Sequence, residues 1–554
     1  MCPLVLKEFR FDGKKRNCIS TDSLESPDGR RRFKLASLSR LSVISQAKGQ
    51  SVWFMLAVFS LEVDLIGFFN FFAQIICERG RKKMLDLLKP IDDVVWGVPM
   101  MALIIGTGII VSFRLGFVQF RKLGLSIKYM VGKEPGVEGK GEISSFAAFS
   151  IAMSATIGTG NIVGVATAVV VGGPGALFWM VFAACIGMAT KYAECVLAVK
   201  YRTLDPQGRA VGGPFYYIEK GMGSKWKWLA KLFAVLGAGA GLLGIGTIVQ
   251  VNGISSAVTT FFDPEKSHTF TLFGNEYTIA TAVAAVVVTF FVALVVIGGI
   301  RRIGKVTSYI VPVMAVVYIL ACCIVLICNI GAIPGAIADI FAGAFGVRAA
   351  AGGALGAIML AMQKGIARGV FSNEAGLGSA PIAIATAQTN EPVRQGLINS
   401  FGVFIDTVII CNLTGLSVIV TGSHLIGKEG ADVTINALGT GMPFGMQAGA
   451  FILMICLAFF AFTTILGWDI YGERCLEYLS GGNMGPVKVY RWLYIFAVFI
   501  GPFLTVEAVW TIADIFNGLM AIPNLIAVLA LSGVVVAETR RYFDRLSSGE
   551  IADR

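Results

Sequence analysis

The chain has 554 residues, 55% of them hydrophobic and only 15% charged, with a mean hydropathy of +0.74. A soluble domain carries about a quarter charged residues, so folding alone could not hide this apolar surplus from water, and the composition excludes anything but an integral membrane protein. The formal charge of +11 is unevenly spread: residues 1–83 hold 15 Lys and Arg against 8 Asp and Glu, so the rest of the chain is nearly balanced and no nucleic-acid partner is indicated.

Residues 1–50 are polar and basic, and 51–77 form an apolar run interrupted by Glu62 and Asp64. Two acidic residues near the middle of a span cost about 2.5–3.5 kcal/mol each, and the following Arg79, Arg81, Lys82 and Lys83 would then face outward against the positive-inside rule. The run is also too long for a secretory signal peptide. The simplest reading makes residues 1–83 an N-terminal extension ahead of a biological start at Met84, since Glu78 to Lys83 can be encoded by a purine-rich ribosome-binding sequence.

From Met84 onward eleven apolar stretches can cross a bilayer, near 93–113, 144–172, 175–200, 229–259, 277–299, 306–330, 352–388, 396–422, 445–475, 487–504 and 506–537. Basic residues set the sidedness. Connections holding Arg114, Arg121 and Lys122, then Lys200, Arg202 and Arg209, then Arg301, Arg302 and Lys305, then Arg394, then Lys488 and Arg491, alternate with connections poor in Lys and Arg. The C-terminal tail, 538–554, is expected in the cytoplasm. The two histidines, His268 and His424, fall in outer loops as solvated surface groups. The eleven cysteines lie mostly in apolar runs without metal-ligand spacing and read as buried small hydrophobes.

Two spans are not ordinary helices. The first runs Ser154-Ala-Thr-Ile-Gly158-Thr159-Gly160-Asn161-Ile-Val-Gly164, and the second Arg368-Gly-Val-Phe371-Ser372-Asn373-Glu374-Ala-Gly376-Leu-Gly378-Ser379-Ala-Pro381. Glycine costs about 1 kcal/mol and proline about 3 in a helix interior, so both should break. Breaks at membrane depth must line a protein cavity. Asn161-x-x-Gly164 and Asn373-x-x-Gly376 are 212 residues apart and five spans separate their helices, an odd number that inverts the second copy. Paired interrupted helices in inverted halves point to the midplane site of a secondary transporter. The alternative is a glycine packing face, which suits Gly237, Gly239 and Gly241 better.

Gly158-Thr-Gly-Asn-Ile-Val-Gly164, Gly172-Gly-Pro-Gly175, Gly187-Met-Ala-Thr-Lys-Tyr-Ala-Glu194, Gly213-Pro-Phe-Tyr-Tyr217, the 369–381 segment and Tyr471-Gly-Glu-Arg474 together resemble the alanine or glycine:cation symporter family, from about residue 84 to 540. The resemblance implies a LeuT-type fold of two inverted five-helix repeats, 144–330 and 352–537, preceded by one extra helix within 84–143. It also implies sodium-coupled uptake of alanine or glycine across the bacterial cytoplasmic membrane, with sodium as the co-transported ion and no cofactor.

An amino-acid zwitterion then assigns roles. A carboxylate suits N–H groups at a half-helix N-terminus, here Thr159, Gly160 and Asn161, with the Asn161 side chain as a further contact. The ammonium suits the break at Phe371, Ser372 and Asn373. Gln250 is an additional polar wall or an interhelical hydrogen-bonding group. Phe371 and Trp468 supply bulk around a small side chain, core packing being the alternative for Trp468. By likeness to this fold, sodium is expected against the carbonyls of Ser154 and Ile157 with the hydroxyls of Thr463 and Thr464, unless these bond back to their own helix. Charged residues inside spans suggest a gate of Glu374 with Arg368 or Lys364, and internal ion pairs for Asp406 and for Lys191 with Glu194.

Other classes fit less well. Gly299-x-x-x-x-Gly304-Lys305 has Val306 where a phosphate loop needs Ser or Thr. A membrane enzyme is disfavoured because no histidine lies in a span, leaving a proton-coupled transporter or a passive channel as the rival readings.

Overall fold

The computed structural model describes residues 78–132, 141–205, 208–272, 275–346, 353–504 and 506–551, so the apolar run 51–77 and Cys2, Cys18 and Cys77 lie outside the described residues. Two compact units are distinguished: Met1–Asp86 with Phe273–Asn275, described only from residue 78 and at Asn275, and a second unit, Leu87–Leu272 with Glu276–Arg554, which holds every site considered below.

The second unit is built almost wholly of helices. In chain order those that frame the site are α1 (Val98–Arg114), α2 (Ser145–Thr156), α3 (Val165–Gly172), α4 (Gly175–Lys200), α5 (Lys227–Leu243), α6 (Ile248–Phe262), α7 (Ile279–Val296) and α8 (Gly299–Cys328). After them come α9 (Ala354–Asn373), α10 (Ala380–Ile384), α11 (Pro392–Val403), α12 (Asn412–Val420), α13 (Gly445–Leu479), α14 (Met484–Ile500), α15 (Val506–Ala530) and α16 (Ser532–Ser547). Ser144 starts α2 by accepting the amide of Ala147 at 3.1 Å, the usual remedy for an orphan N–H in the first turn. Thr278 does the same for α7 at the amide of Thr281.

Among the described residues eight helical segments are long and apolar enough to cross a membrane, and the bent pair α2–α3 brings the number to nine. The chain is therefore a polytopic, all-α membrane protein. The other two of the eleven predicted stretches fall short for local reasons. Helix α9 stops at Asn373 and carries Gln363, Lys364 and Arg368, while α14 has only 17 residues. Another difference lies in the predicted stretch 229–259, which is interrupted between α5 and α6 at Gly244 to Thr247.

Burial separates central helices from lipid-facing ones. The most apolar window of α4 is 67% buried, against 39% in α7 and α8. Helix α7 exposes Val283, Val286, Val287 and Phe290, an apolar face that only hydrocarbon can cover at membrane depth. Helix α4 packs against α9 and α11, and the 35-residue α13 against α2, α5 and α6, so the two broken segments lie among the best-covered helices. The cysteine expectation needs correction at the periphery: among the described residues none is disulfide-bonded, but Cys328 is exposed and Cys185 and Cys323 are half-buried. His268 is solvent-exposed, as expected, whereas His424 is half-buried.

Candidate functional site

Helix α2 ends at Thr156, and the chain bends by 45° before resuming at Gly160. The first turn beyond the bend is not α but a π segment, Gly160–Gly164, which places Asn161 off the ordinary helical register. Gly158 is required here by close approach: a Cβ would lie 2.4 Å from Thr464 Oγ1 and 2.9 Å from Gln250 Oε1. Both neighbours bind the break. Thr464 Oγ1 donates within reach of Ser154 O at 2.9 Å and Ile157 O at 3.2 Å, while also lying 3.0 Å from Phe460 O of its own helix. Gln250 Oε1 accepts the amide of Thr159 at 3.0 Å, and its Nε2 donates to Ile245 O at 2.9 Å. Two of the three N–H groups expected for a carboxylate are thus already engaged, since the Asn161 amide reaches Gly158 O at 3.3 Å.

The second break follows α9. Glu374 takes a left-handed backbone (φ 55°), a conformation that disfavours a residue with a Cβ, and Gly376 and Gly378 follow at φ 95° and 77° before α10 begins. Among the described residues only Phe117 and Lys266 share this trait with Glu374 outside glycine. Gly160 lies against this break, where a Cβ would meet Phe371 Cδ1 at 3.2 Å and Ser372 Cα at 3.3 Å.

Asp406 joins the two breaks. It sits on a second π segment, Phe404–Cys411, between α11 and α12. Its Oδ1 accepts Asn161 Nδ2 at 2.7 Å, and its Oδ2 accepts Ser372 Oγ at 2.9 Å and Thr407 Oγ1 at 2.7 Å. Asn373 Nδ2 extends the chain to Thr407 Oγ1 at 3.0 Å. Every one of these groups is buried. The expected ion pair for Asp406 is therefore replaced by a set of neutral donors, which can stabilise a buried carboxylate without a partner cation.

Three further expectations change. Arg368 does not pair with Glu374: it makes a bidentate bond to Asp514 at 2.8 and 2.7 Å, while Glu374 lies past the end of α9 in the left-handed turn. Lys191 makes no ion pair with Glu194 within bonding distance; its buried Nζ has no hydrogen-bond partner. Thr463 turns away from Thr464 by roughly 100°, as neighbours on a helix must, and bonds back to Phe459 O and Phe460 O, both at 3.0 Å, beside Met314.

Phe371 and Trp468 are both fully buried. Trp468 lies one turn beyond Thr464 on the same face of α13 and packs edge-on against Tyr471 at 5.3 Å. Phe371 packs against Trp510 with ring centroids 4.9 Å apart and planes tilted by 34°, and Trp510 also carries the Arg368 guanidinium over its ring at 4.7 Å. Trp510 and Asp514 escaped the sequence reading, although an acidic residue inside the apolar stretch 506–537 is the same kind of signal that drew attention to Asp406.

Toward the opposite ends of α2 and α13 lies a second charge network. Arg474 bonds Glu142, just ahead of α2, at 2.5 Å and Glu477 at 2.8 Å; Arg209 bonds Glu477 at 2.5 Å and Asp205 at 2.6 Å. Glu142, Arg209, Arg474 and Glu477 line a cleft of about 300 Å³. The segment before α2 is further tied to the one after α10, with Glu142 N donating to Thr386 O and Gln388 N to Ile143 O, each at 2.8 Å.

A hard monovalent cation takes neutral oxygens such as those gathered at Thr464 Oγ1 and the Ser154 and Ile157 carbonyls. Among the described residues no group of three or more His, Cys, Asp or Glu is arranged to hold a metal ion. The sequence model of the sodium:alanine symporter family matches residues 81–553. An uncharacterized transporter of Haemophilus influenzae is 50% identical over 83% of this chain and 96% of its own. The sodium/alanine symporter AgcS of Methanococcus maripaludis is 45% identical over 82% and 97%, and the probable sodium/glutamine symporter GlnT of Bacillus subtilis 38% identical over 83% and 91%. With the family model matching residues 81–553 and these relatives covered over more than nine-tenths of their own length, the chain belongs to the sodium:alanine symporter family.

Proposed function

We propose that the protein takes up a small neutral amino acid, alanine or glycine, together with sodium, by alternating access in a LeuT-type fold. In this reading 144–330 and 352–537 are inverted five-helix repeats, the segment 84–143 contributes a leading helix, and α9–α10 and α14 complete eleven spans. The observation that carries it is the bond of Asn161 and Ser372 to one carboxylate, Asp406, which ties the two broken helices together at a buried point. A polar junction of that kind is costly in a membrane protein unless it serves a ligand path.

Gln250 Oε1 holds the Thr159 amide where a substrate carboxylate would bind, so substrate entry displaces one side-chain amide instead of filling a set of bare N–H groups. The ammonium is received at the Phe371, Ser372 and Asn373 turn. Phe371 and Trp468 limit the side chain, which supports alanine or glycine over the larger glutamine named for the Bacillus relative. Sodium is received by Ser154 O, Ile157 O and Thr464 Oγ1, with Thr463 outside the set. Its entry gains about 2.3 kcal/mol per charge per 100 mV of inside-negative potential. The basic connections orient the C-terminus to the cytoplasm of a bacterial inner membrane.

The test is counterflow and gradient-driven uptake in proteoliposomes. Sodium-dependent accumulation of labelled alanine or glycine against its gradient is expected. Equilibration without accumulation would indicate a passive channel, and accumulation driven by a proton gradient without sodium would indicate proton coupling.

A further inference from the structure

Behind the second break lies a group of buried polar atoms that the transport scheme does not use. On α4, Lys191 Nζ is buried and has no hydrogen-bond partner. Lys191 shares a face of α4 with Glu194, one turn on, and with Gly187, where a Cβ would lie 2.9 Å from Ala375 Cβ in the second break, and the charges of three carboxylates act on it: Glu194, Glu374 and Asp406. Those of Asp406 are both taken by Asn161, Ser372 and Thr407. The other two each have one oxygen engaged and one without a partner. Glu194 Oε1 accepts Asn524 Nδ2 and Glu374 Oε2 accepts Ser379 Oγ, both at 2.5 Å, leaving Glu194 Oε2 and Glu374 Oε1 open. Two buried donors next to Glu374, Trp468 Nε1 and Tyr471 Oη, are likewise without partners.

An ammonium offers three donors and no acceptor, and a buried one without a partner is costly. Here one cation has for neighbours two carboxylates that each keep an open oxygen, on elements of different character. Glu194 is one turn along the same rigid helix, whereas Glu374 belongs to the break and holds a strained left-handed backbone. We propose that Lys191 is a tethered cation that alternates between Glu374 and Glu194 as the second break rearranges, making it a positioning residue for the transport cycle. When Lys191 pairs with Glu194, Trp468 and Tyr471 supply the donors for Glu374; when it pairs with Glu374, they are released. Trp468 thereby links occupancy of the substrate pocket to the position of the cation. This inference rests on the transport reading above.

Cys411 provides a native reporter, since its fully buried sulfur lies 3.4 Å from Asn161 Nδ2 and 3.2 Å from Ser372 Oγ. Membrane vesicles of either orientation, carrying the full chain, are treated with an impermeant thiol reagent, and Cys411 modification is read by peptide mass spectrometry. Glu374→Gln and Glu194→Gln each remove one docking carboxylate and should raise Cys411 labelling at least threefold from opposite sides of the membrane. In a Lys191→Gln background the two should no longer differ. Equal labelling from the same side, unchanged labelling, or a difference that survives Lys191→Gln overturns the proposal. If Lys191→Gln aggregates, the two single variants decide alone. Sodium-dependent alanine uptake by the unaltered protein is measured alongside; its absence removes the alanine reading and leaves the labelling result standing.

Discussion

At the scale of single residues, the site is defined by which polar atoms already have partners. Thr464 and Thr463 share a chemistry but not an environment: only Thr464 Oγ1 reaches the Ser154 and Ile157 carbonyls, while Thr463 is satisfied within α13. Thr464→Ala should therefore raise the sodium concentration for half-maximal uptake about tenfold or more, the loss of one oxygen ligand worth roughly 1.5–3 kcal/mol. Thr463→Ala should shift it less than about twofold. Equal shifts for the two variants would remove the distinction. The indole of Trp468 makes a second residue-scale case. Its ring is fully buried, and truncation to Ala opens space beside the break at a stability cost of about 3–5 kcal/mol. Leucine and methionine should then compete with labelled alanine at least tenfold better than in the unaltered protein; unchanged competition would take Trp468 out of the pocket wall.

At the scale of helices, the breaks are held by close packing as much as by polar bonds. Gly253 on α6 faces Thr159 so tightly that a Cβ would lie 2.6 Å from Thr159 Cγ2, with the next atom, Thr159 Cβ, at 3.7 Å. Gly253→Ala should push the first break out of place, an overpacking cost of about 1–3 kcal/mol, and reduce uptake at least tenfold. Adding Thr159→Ser removes the offending methyl, keeps the hydroxyl and should restore uptake to within about threefold, with a thermal midpoint at or above that of the unaltered protein because alanine favours a helix interior by about 1 kcal/mol over glycine. Failure of the serine to rescue would mean that the contact is not what makes glycine necessary. The two breaks themselves were legible in the sequence, because glycine, proline and amide side chains inside apolar runs contradict a continuous helix. The interruption between α5 and α6 was not, since Gly237, Gly239, Gly241, Gly244 and Gly246 form one series that suits a packing face equally well. Nor could the left-handed turn at Glu374 be read, because it follows from the π segments and neighbouring helices that hold the break and not from the residue itself. Partners such as Asp514 for Arg368, 146 positions away, depend on how helices are arranged, which residue spacing along one strand of sequence does not encode.

At the scale of the whole molecule, two buried charge networks lie on either side of the junction at Asp406. One is Arg368 with Asp514, covered by Trp510 and Phe371; the other is Arg474 with Glu142 and Glu477. The first joins α9 to α15, both within the second of the repeats proposed for the fold, whereas the second ties the lead-in of α2 to α13. Breaking a buried pair costs about 3–5 kcal/mol, and a difference of about 5.5 kcal/mol is enough to invert a 1:99 equilibrium between two states. In the orientation proposed above, the networks should act as opposed latches, the first closing the outer path and the second the cytoplasmic one. Asp514→Asn should raise labelling of Cys411 by an impermeant thiol reagent from outside, and Glu142→Gln from the cytoplasmic face, each at least fivefold, with both variants losing most gradient-driven uptake. The double variant should label from both faces, because neither state then holds an advantage. Labelling of both single variants from one face would show that the two networks guard the same entrance, and the assignment of opposite latches would fail.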